Sequence, residues 1–124
     1  MNHIEIIRKY FFAVTARTPQ NIIPLFDEDC EVFFAHAGIL KGKQEFDKFN
    51  LSLIESIVEL TFDMDNFNYT ANGNTVIIEG QESGKLSNGF SFKDNRFCSV
   101  FEFAPETNLV KRMFAYTDPN FGEK

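Results

Sequence analysis

The dominant hydrophobic period of this chain changes near Glu59. Before that point apolar side chains recur at helical spacing, as Ile4 and Ile7 do. After it they alternate with polar side chains, as at Leu60 and Phe62, which is the period of a strand. A chain with helices first and strands afterwards predicts an α+β domain.

The first half predicts three helices, of which two can be delimited by their caps and prolines. Asn2 followed by Glu5 is a capping-box pattern, so the first helix should begin near Asn2. Pro19 should end it, because the residue before a proline is pushed out of the helical region. A second short helix is expected from there through Phe26, and Pro24 should make it irregular.

A long curved sheet is expected to follow. A strand around Val32 to His36 and a third helix from Gly42 complete the first half. The later strands are expected from Glu59 onward, where Leu60, Phe62 and Met64 alternate, and over Thr75–Leu86, Phe90–Phe103 and Leu109–Thr117. Four successive antiparallel strands after three helices can curl around those helices and leave a cavity at the wide end.

The strand Phe90–Phe103 has two partly apolar faces. Phe97 and Ser99 share one face, and Cys98 and Val100 share the other. A sheet that is apolar on both faces must have both covered, and no further helix remains to cover the second. The sequence therefore predicts a homodimer built on the outer face of the sheet.

Composition narrows the class of partner. The chain has 124 residues, enough for one domain over 1–124, and its 16 phenylalanines must line a core or a cavity. The net charge of −6 disfavours nucleic acids and anionic membranes as partners.

The sequence has no membrane span and no signal peptide, which predicts a cytoplasmic protein. Cys30 and Cys98 match no metal-ligand spacing, so reduced thiols are expected, with neither a metal nor a cofactor.

Several stretches resemble the nuclear transport factor 2-like superfamily, and most closely its SnoaL-like and ketosteroid isomerase-like branch. The resemblance extends from about Glu5 to Asp118. It is carried by IRKYFFAV, LFDEDCEVFF, GKQEF and the pair NRFCSVFEF and LVKRMFAYTD. It implies a cone of three helices in a curved sheet, with an apolar pocket and usually a dimer. Members include isomerases, hydrolases, cyclases and binding modules without chemistry, so the fold does not fix the activity.

The resemblance also implies site residues, position by position. Tyr10 occupies the place of the tyrosine that donates a hydrogen bond in ketosteroid isomerases. Phe34 occupies the place of their catalytic base, Ser99 that of their second donor, and Ala115 that of the acid on the last strand of related hydrolases and cyclases. Phenylalanine cannot abstract a proton, so steroid isomerisation by that mechanism is excluded.

Other groups are candidates for the proton transfer. His36 should share the pocket-facing side of its strand with Phe34 if the strand extends that far, and imidazole is a side chain suited to acid–base chemistry near neutral pH. Packing beside the Gly38 turn is the alternative role for this histidine. Glu79 and Glu82 are three residues apart, so one of them should point inward and replace the missing base, unless a bulge at Gly80 alters the alternation.

These observations predict a small, mostly apolar ligand that is bound, or converted without a cofactor, in an aromatic pocket. A non-catalytic binding protein or a protein-association module is the alternative. His36 and Tyr10 are the candidate catalytic residues. Ligand contacts are expected from Phe34, Asn95, Phe97, Ser99, Met113 and Ala115. Phe121 is a candidate lid over the pocket mouth.

Overall fold

The computed structural model describes residues 2–118, so Phe121 lies outside the described residues. Within them, the chain forms two α-helices and a curved, unclosed sheet of seven strands. In chain order, the α-helices and strands are α1 (His3–Ala16), β1 (Phe26–Phe34), β2 (Gly38–Lys41), α2 (Gly42–Glu55), β3 (Ile57–Phe62), β4 (Asn68–Asn72), β5 (Thr75–Leu86), β6 (Ser91–Phe103) and β7 (Val110–Thr117). The expected α+β class, with helices inside a curved sheet, is confirmed.

Both ends of α1 follow from local chemistry. The side chain of Asn2 accepts a hydrogen bond from the Glu5 backbone N–H at 2.8 Å, which confirms the predicted cap. At the other end Arg17 adopts a left-handed conformation with φ of 58°, and the helix stops at Ala16, before Pro19. The apolar stripe of α1 is buried against the sheet, including Ile7 and Phe11.

The expected second helix is two 3₁₀ turns, Pro19–Asn21 and Ile23–Leu25. Pro24 has no N–H to donate, so a regular α-helix cannot continue through it. The irregularity was predicted correctly, but the segment ends at Leu25, because Phe26 already begins β1.

The sheet differs from the expected one in its number of strands and in its pairing, and it includes β2 (Gly38–Lys41), a strand that the sequence did not predict and that pairs antiparallel with β1. Its strand order is β2-β1-β7-β6-β5-β3, and β1 pairs with β7 in parallel, so the sheet is mixed and not wholly antiparallel. The segment after Glu59 also does not form one strand. A 3₁₀ turn at Met64–Asn66 divides it into β3 and β4, which pair with different halves of β5. Met64 therefore belongs to a turn.

The predicted alternation along β6 is confirmed. Phe97, Ser99 and Phe101 are buried on the inner face, whereas Cys98 and Val100 are half-buried on the outer face. The inner residues pack against α1 in one continuous core. Among the described residues, no helix is long and apolar enough to cross a membrane.

Candidate functional site

A cavity of about 200 Å³ lies between the helices and the inner face of the sheet. Its lining is mostly apolar and aromatic, so the phenylalanines leave the cone partly open. The residues that line it are Tyr10, Phe11, Val14, Phe34, Ala35, His36, Phe49, Leu53, Ile57, Leu60, Phe62, Glu82, Leu86, Phe92, Phe97, Ser99, Ala115 and Thr117.

Contacts between aromatic rings hold the walls of the cavity in place. Phe11 of α1 meets Phe62 and Phe97 with ring centroids 4.8 and 5.6 Å apart. On the other side, Phe34 stacks on Phe49 of α2 at 4.7 Å. Such aromatic pairs add to the stabilisation from burial and hold the rings in defined orientations. The apolar wall is therefore preformed by side chains of α1, α2, β1, β3 and β6.

Tyr10 brings a hydroxyl group to this cavity from α1. Its ring is 6% exposed and packs edge-to-face on Phe26 and Phe101. The structure shows no hydrogen bond from this hydroxyl to another described residue. Burial, and then the charge of Glu82, raise the pKa of Tyr10. The phenol consequently stays protonated and can donate a hydrogen bond to a ligand.

Glu82 brings a buried carboxyl group from β5. It is 7% exposed, and its Oε1 accepts a hydrogen bond from Asn95 Nδ2 at 3.4 Å. Burial raises the pKa of Glu82 to about 7, while the Asn95 hydrogen bond opposes that rise. Near neutral pH this group therefore exists in both protonation states.

The choice between Glu79 and Glu82, which the sequence left open, is decided by the register of β5. Residues from Thr75 to Glu82 pair with β6 without interruption, so no bulge occurs at Gly80. Glu82 thus shares the buried face of Val76 and Ile78. Glu79 is exposed and accepts a hydrogen bond from Asn68 at 3.0 Å. Glu82 is an even number of residues away from Val76 and Ile78, so an uninterrupted strand places all three on one face. This spacing was the signal in the sequence that could have identified Glu82.

Ser99 adds a second hydroxyl group on β6. It is 4% exposed, pairs with Ala115 across the sheet, and lines the cavity with it. The structure shows no hydrogen bond from the Ser99 hydroxyl to another described residue. The two hydroxyls of Tyr10 and Ser99 and the Glu82 carboxyl are therefore the polar side-chain groups that the buried part of the lining presents.

His36 lines the cavity but does not continue β1. The strand ends at Phe34, where the Ala37 N–H donates to the Phe34 carbonyl oxygen at 3.0 Å and the chain reverses into β2. The predicted strand over His36 is therefore wrong, because Gly38, with φ of 73°, begins the return strand. The imidazole is exposed at the rim of the cavity.

The predicted ligand contacts occupy two kinds of position. Phe34, Phe97, Ser99 and Ala115 line the cavity. The lining in the described part of the chain includes neither Asn95, which contacts Glu82, nor Met113. Met113 is 1% exposed and is part of the core. Its neighbours in the sheet, Val32 and Phe101, belong to the same core.

A larger concavity, of about 520 Å³, lies on the outer side of β5. It is polar and open, and its acidic groups are already engaged with amides: Asn66 Nδ2 donates to both carboxylate oxygens of Asp63 at 3.0 Å. Among residues 2–118, no group of three or more His, Cys, Asp or Glu side chains is arranged to hold a metal ion. The smaller cavity is the better candidate, because it encloses both apolar surface and buried polar groups.

Comparison with known proteins gives one family match. The sequence model described as the SnoaL-like domain matches residues 7–113, most of the chain. No curated protein matches the chain at a significant level.

Solved structures share the architecture at low sequence identity. A proposed polyketide cyclase from Pseudomonas putida is 17% identical, with a TM-score of 0.84 over 97% of this chain and 94% of that one. A nuclear transport factor 2-like protein from Anabaena variabilis is 18% identical, with a TM-score of 0.79 over 92% of this chain and 84% of that one. A nuclear transport factor 2-like protein from Burkholderia pseudomallei is 16% identical, with a TM-score of 0.78 over 96% and 93%. At sequence identities this low, the structural similarity establishes the fold and nothing about activity.

Proposed function

The chain belongs to the SnoaL-like domain family, and on that premise we propose that its cavity binds a small, mostly apolar molecule with an oxygen acceptor and converts it without a cofactor. One observation carries the proposal: an aromatic cavity that presents the hydroxyls of Tyr10 and Ser99. Isomerase, cyclase and hydrolase reactions all begin by polarising a carbonyl or epoxide oxygen. Tyr10 would do so by donating its hydrogen bond.

The volume of the cavity limits the ligand. A dry cavity of about 150 Å³ is enough to hold benzene. At about 200 Å³ the present cavity fits a compound with one ring better than a steroid. The proposal therefore favours small terpenoid-like or single-ring polyketide-like ketones and epoxides over steroids. An open cavity also disfavours the protein-association alternative, which a completely filled cone would favour.

A thermal-shift experiment with matched ligands tests the proposal. Carvone and limonene share a carbon skeleton, but only carvone has a ketone oxygen; testosterone is a larger ketone. At about 100 times its dissociation constant, a ligand adds about 2.7 kcal/mol to the stability. We expect several degrees of stabilisation from carvone, less from limonene and none from testosterone. Tyr10→Phe should abolish the difference between carvone and limonene.

A broader panel decides the outcome. Single-ring ketones, epoxides and alcohols would be screened with the wild-type protein beside carvone. If no member of the panel stabilises it, the proposed function is wrong.

The proposal includes a homodimer, formed through the outer face of the sheet. An apolar row crosses five paired strands of that face. It consists of Ile39, Phe33, Phe114, Val100 and Ile77. Beside this row, Arg112 forms an ion pair with Glu102 at 3.1 Å and covers the Phe114 ring. A two-fold axis would bring the apolar rows of two copies together.

The cytoplasm is the proposed location. The two cysteines, Cys30 and Cys98, are free thiols in the structure. Free thiols persist in reducing compartments, which supports this location.

A further inference from the structure

We propose that Glu82 is the acid–base catalyst of the cavity: its carboxylate takes a proton from the carbon next to a ligand's carbonyl group and returns that proton to the ligand. This inference rests on the proposed function, because it needs a carbonyl ligand in the same cavity. The assignment gives the proton transfer to Glu82 and not to His36. Glu82 lies on β5, a strand on which the family resemblance predicted no catalytic residue.

The placement of Glu82 is unusual for a glutamate. The side chain is 7% exposed and lines an apolar cavity. The two ion pairs found among residues 2–118 are Lys43–Glu28 and Arg112–Glu102, so no basic side chain in this part of the chain forms an ion pair with Glu82. A buried carboxylate without a counter-ion destabilises a fold, and such groups concentrate at functional sites.

The hydrogen bonding of Glu82 is also incomplete. A carboxylate has about four acceptor sites, and the structure shows one hydrogen bond to this group, from Asn95 at 3.4 Å. Asn95 faces Glu82 directly across β5 and β6, so it holds the carboxyl group in place and leaves acceptor sites free. The free acceptor sites belong to a side chain that lines the cavity.

The proton transfer balances within the ligand and Glu82. As the carboxylate takes the proton, the C–H bond breaks, its electron pair forms a carbon–carbon double bond, and the carbonyl π electrons move to oxygen. The Tyr10 hydroxyl donates a hydrogen bond to this enolate oxygen, with Ser99 as a second donor from β6. The neutral Glu82 then returns the proton to the same carbon or to a conjugated one, and no oxidant or reductant is required.

The other titratable groups of the lining are less suited to this role. They are Tyr10, from α1, and His36, in the turn after β1. The pKa of Tyr10 is raised by burial and by Glu82, which keeps it a donor. His36 is exposed at the rim. Burial raises the pKa of Glu82 to about 7, close to that of an efficient general base at neutral pH.

Hydrogen–deuterium exchange into cyclohexanone tests the assignment without knowledge of the natural substrate. The ketone would be incubated with the protein in D₂O, and loss of its α-protons followed by NMR. We expect the wild-type protein to accelerate exchange, with a rate that rises with pH and levels off above about 7. Glu82→Gln should lower the rate about 100-fold or more and remove this pH dependence.

Matched variants separate a chemical role from a structural one. Glu79→Gln, on the outer face of the same strand, should leave the exchange unchanged. Glu82→Asp should fold and retain part of the exchange, because it keeps the acid. If Glu82→Gln exchanges as fast as the wild type, or if His36→Gln loses the exchange while Glu82→Gln keeps it, the assignment is overturned.

Thermal shifts with cyclohexanone, measured in parallel, test the binding function separately from the catalytic role of Glu82. Binding without accelerated exchange in the wild type would overturn the role of Glu82 and leave the binding function in place. The absence of binding by cyclohexanone and by the wider panel of single-ring compounds would overturn both.

Discussion

Glu82 makes the fold sensitive to pH. Burial raises its pKa from 4.5 to about 7. Below pH 4.5 the group is protonated in both the folded and the unfolded chain, so it has no pH-dependent effect on stability. Between 4.5 and 7 the unfolded chain releases the proton while the folded chain keeps it, and stability falls as pH rises. Above about 7 the loss is complete, at about 3 kcal/mol.

We therefore predict that Glu82→Gln removes this loss. Relative to the wild type, the variant should gain up to about 3 kcal/mol in unfolding free energy between pH 4.5 and pH 8, because a neutral amide has no charge to desolvate. Urea unfolding at both pH values measures the difference. Glu79→Gln is the control and should follow the wild type. Parallel pH profiles for Glu82→Gln and the wild type would contradict the prediction.

Individual elements position the groups of the site. Helix α1 brings Tyr10 to the cavity, and β5 brings Glu82. Gly80 allows Phe67, just before β4, to pack closely on β5: a Cβ atom there would approach Phe67 Cδ1 and Cε1 to 2.6 Å. The bare backbone at this position lets the aromatic core cover the strand that carries Glu82.

The cap of α1 gives a prediction at the scale of this element. Asn2→Ala removes the acceptor for the Glu5 backbone N–H and should lower the unfolding free energy by about 1 kcal/mol. Asn2→Ser should retain most of the stability, because serine also caps helices well. Urea unfolding compares the three proteins. Equal losses in the alanine and serine variants would show that the cap does not account for the effect.

At the scale of the whole molecule, the outer sheet face governs the predicted assembly. Val100 is near the middle of its apolar row, whereas Thr70 pairs with Ile77 at the end of the same row and is exposed. We predict that Val100→Lys converts a wild-type dimer into monomers, because two buried lysines would face each other across the two-fold axis. Sedimentation velocity over a range of concentrations measures the mass.

Thr70→Lys provides the matched control for this charge. It should remain dimeric, since the edge of the row lies away from the centre of the contact. A wild-type protein that is monomeric at all concentrations, or a dimeric Val100→Lys variant, would contradict the proposed interface.

Much of the fold was predictable because its signals are local. The Asn2 cap, the irregular segment around Pro24 and the alternation along β6 depend on neighbouring residues and were predicted correctly. The resemblance to the SnoaL-like family was likewise correct. The division of the segment after Glu59 into β3 and β4 was missed, because Met64 continues the alternation of Leu60 and Phe62 into the turn; the apolar positions change parity only after it, at Phe67 and Tyr69.

The sequence by itself determined the cap of α1, the irregular segment around Pro24 and which face of β6 is buried, because these depend on residue spacing and on single caps and prolines. Only the tertiary structure decided the parallel pairing of β1 with β7, the turn at His36 and the size of the cavity. It also decided that no bulge at Gly80 breaks the alternation of β5, and so that Glu82, not Glu79, points inward. The physical reason is that strand register, chain reversal and burial depend on partners far apart in the sequence, which a local pattern does not specify.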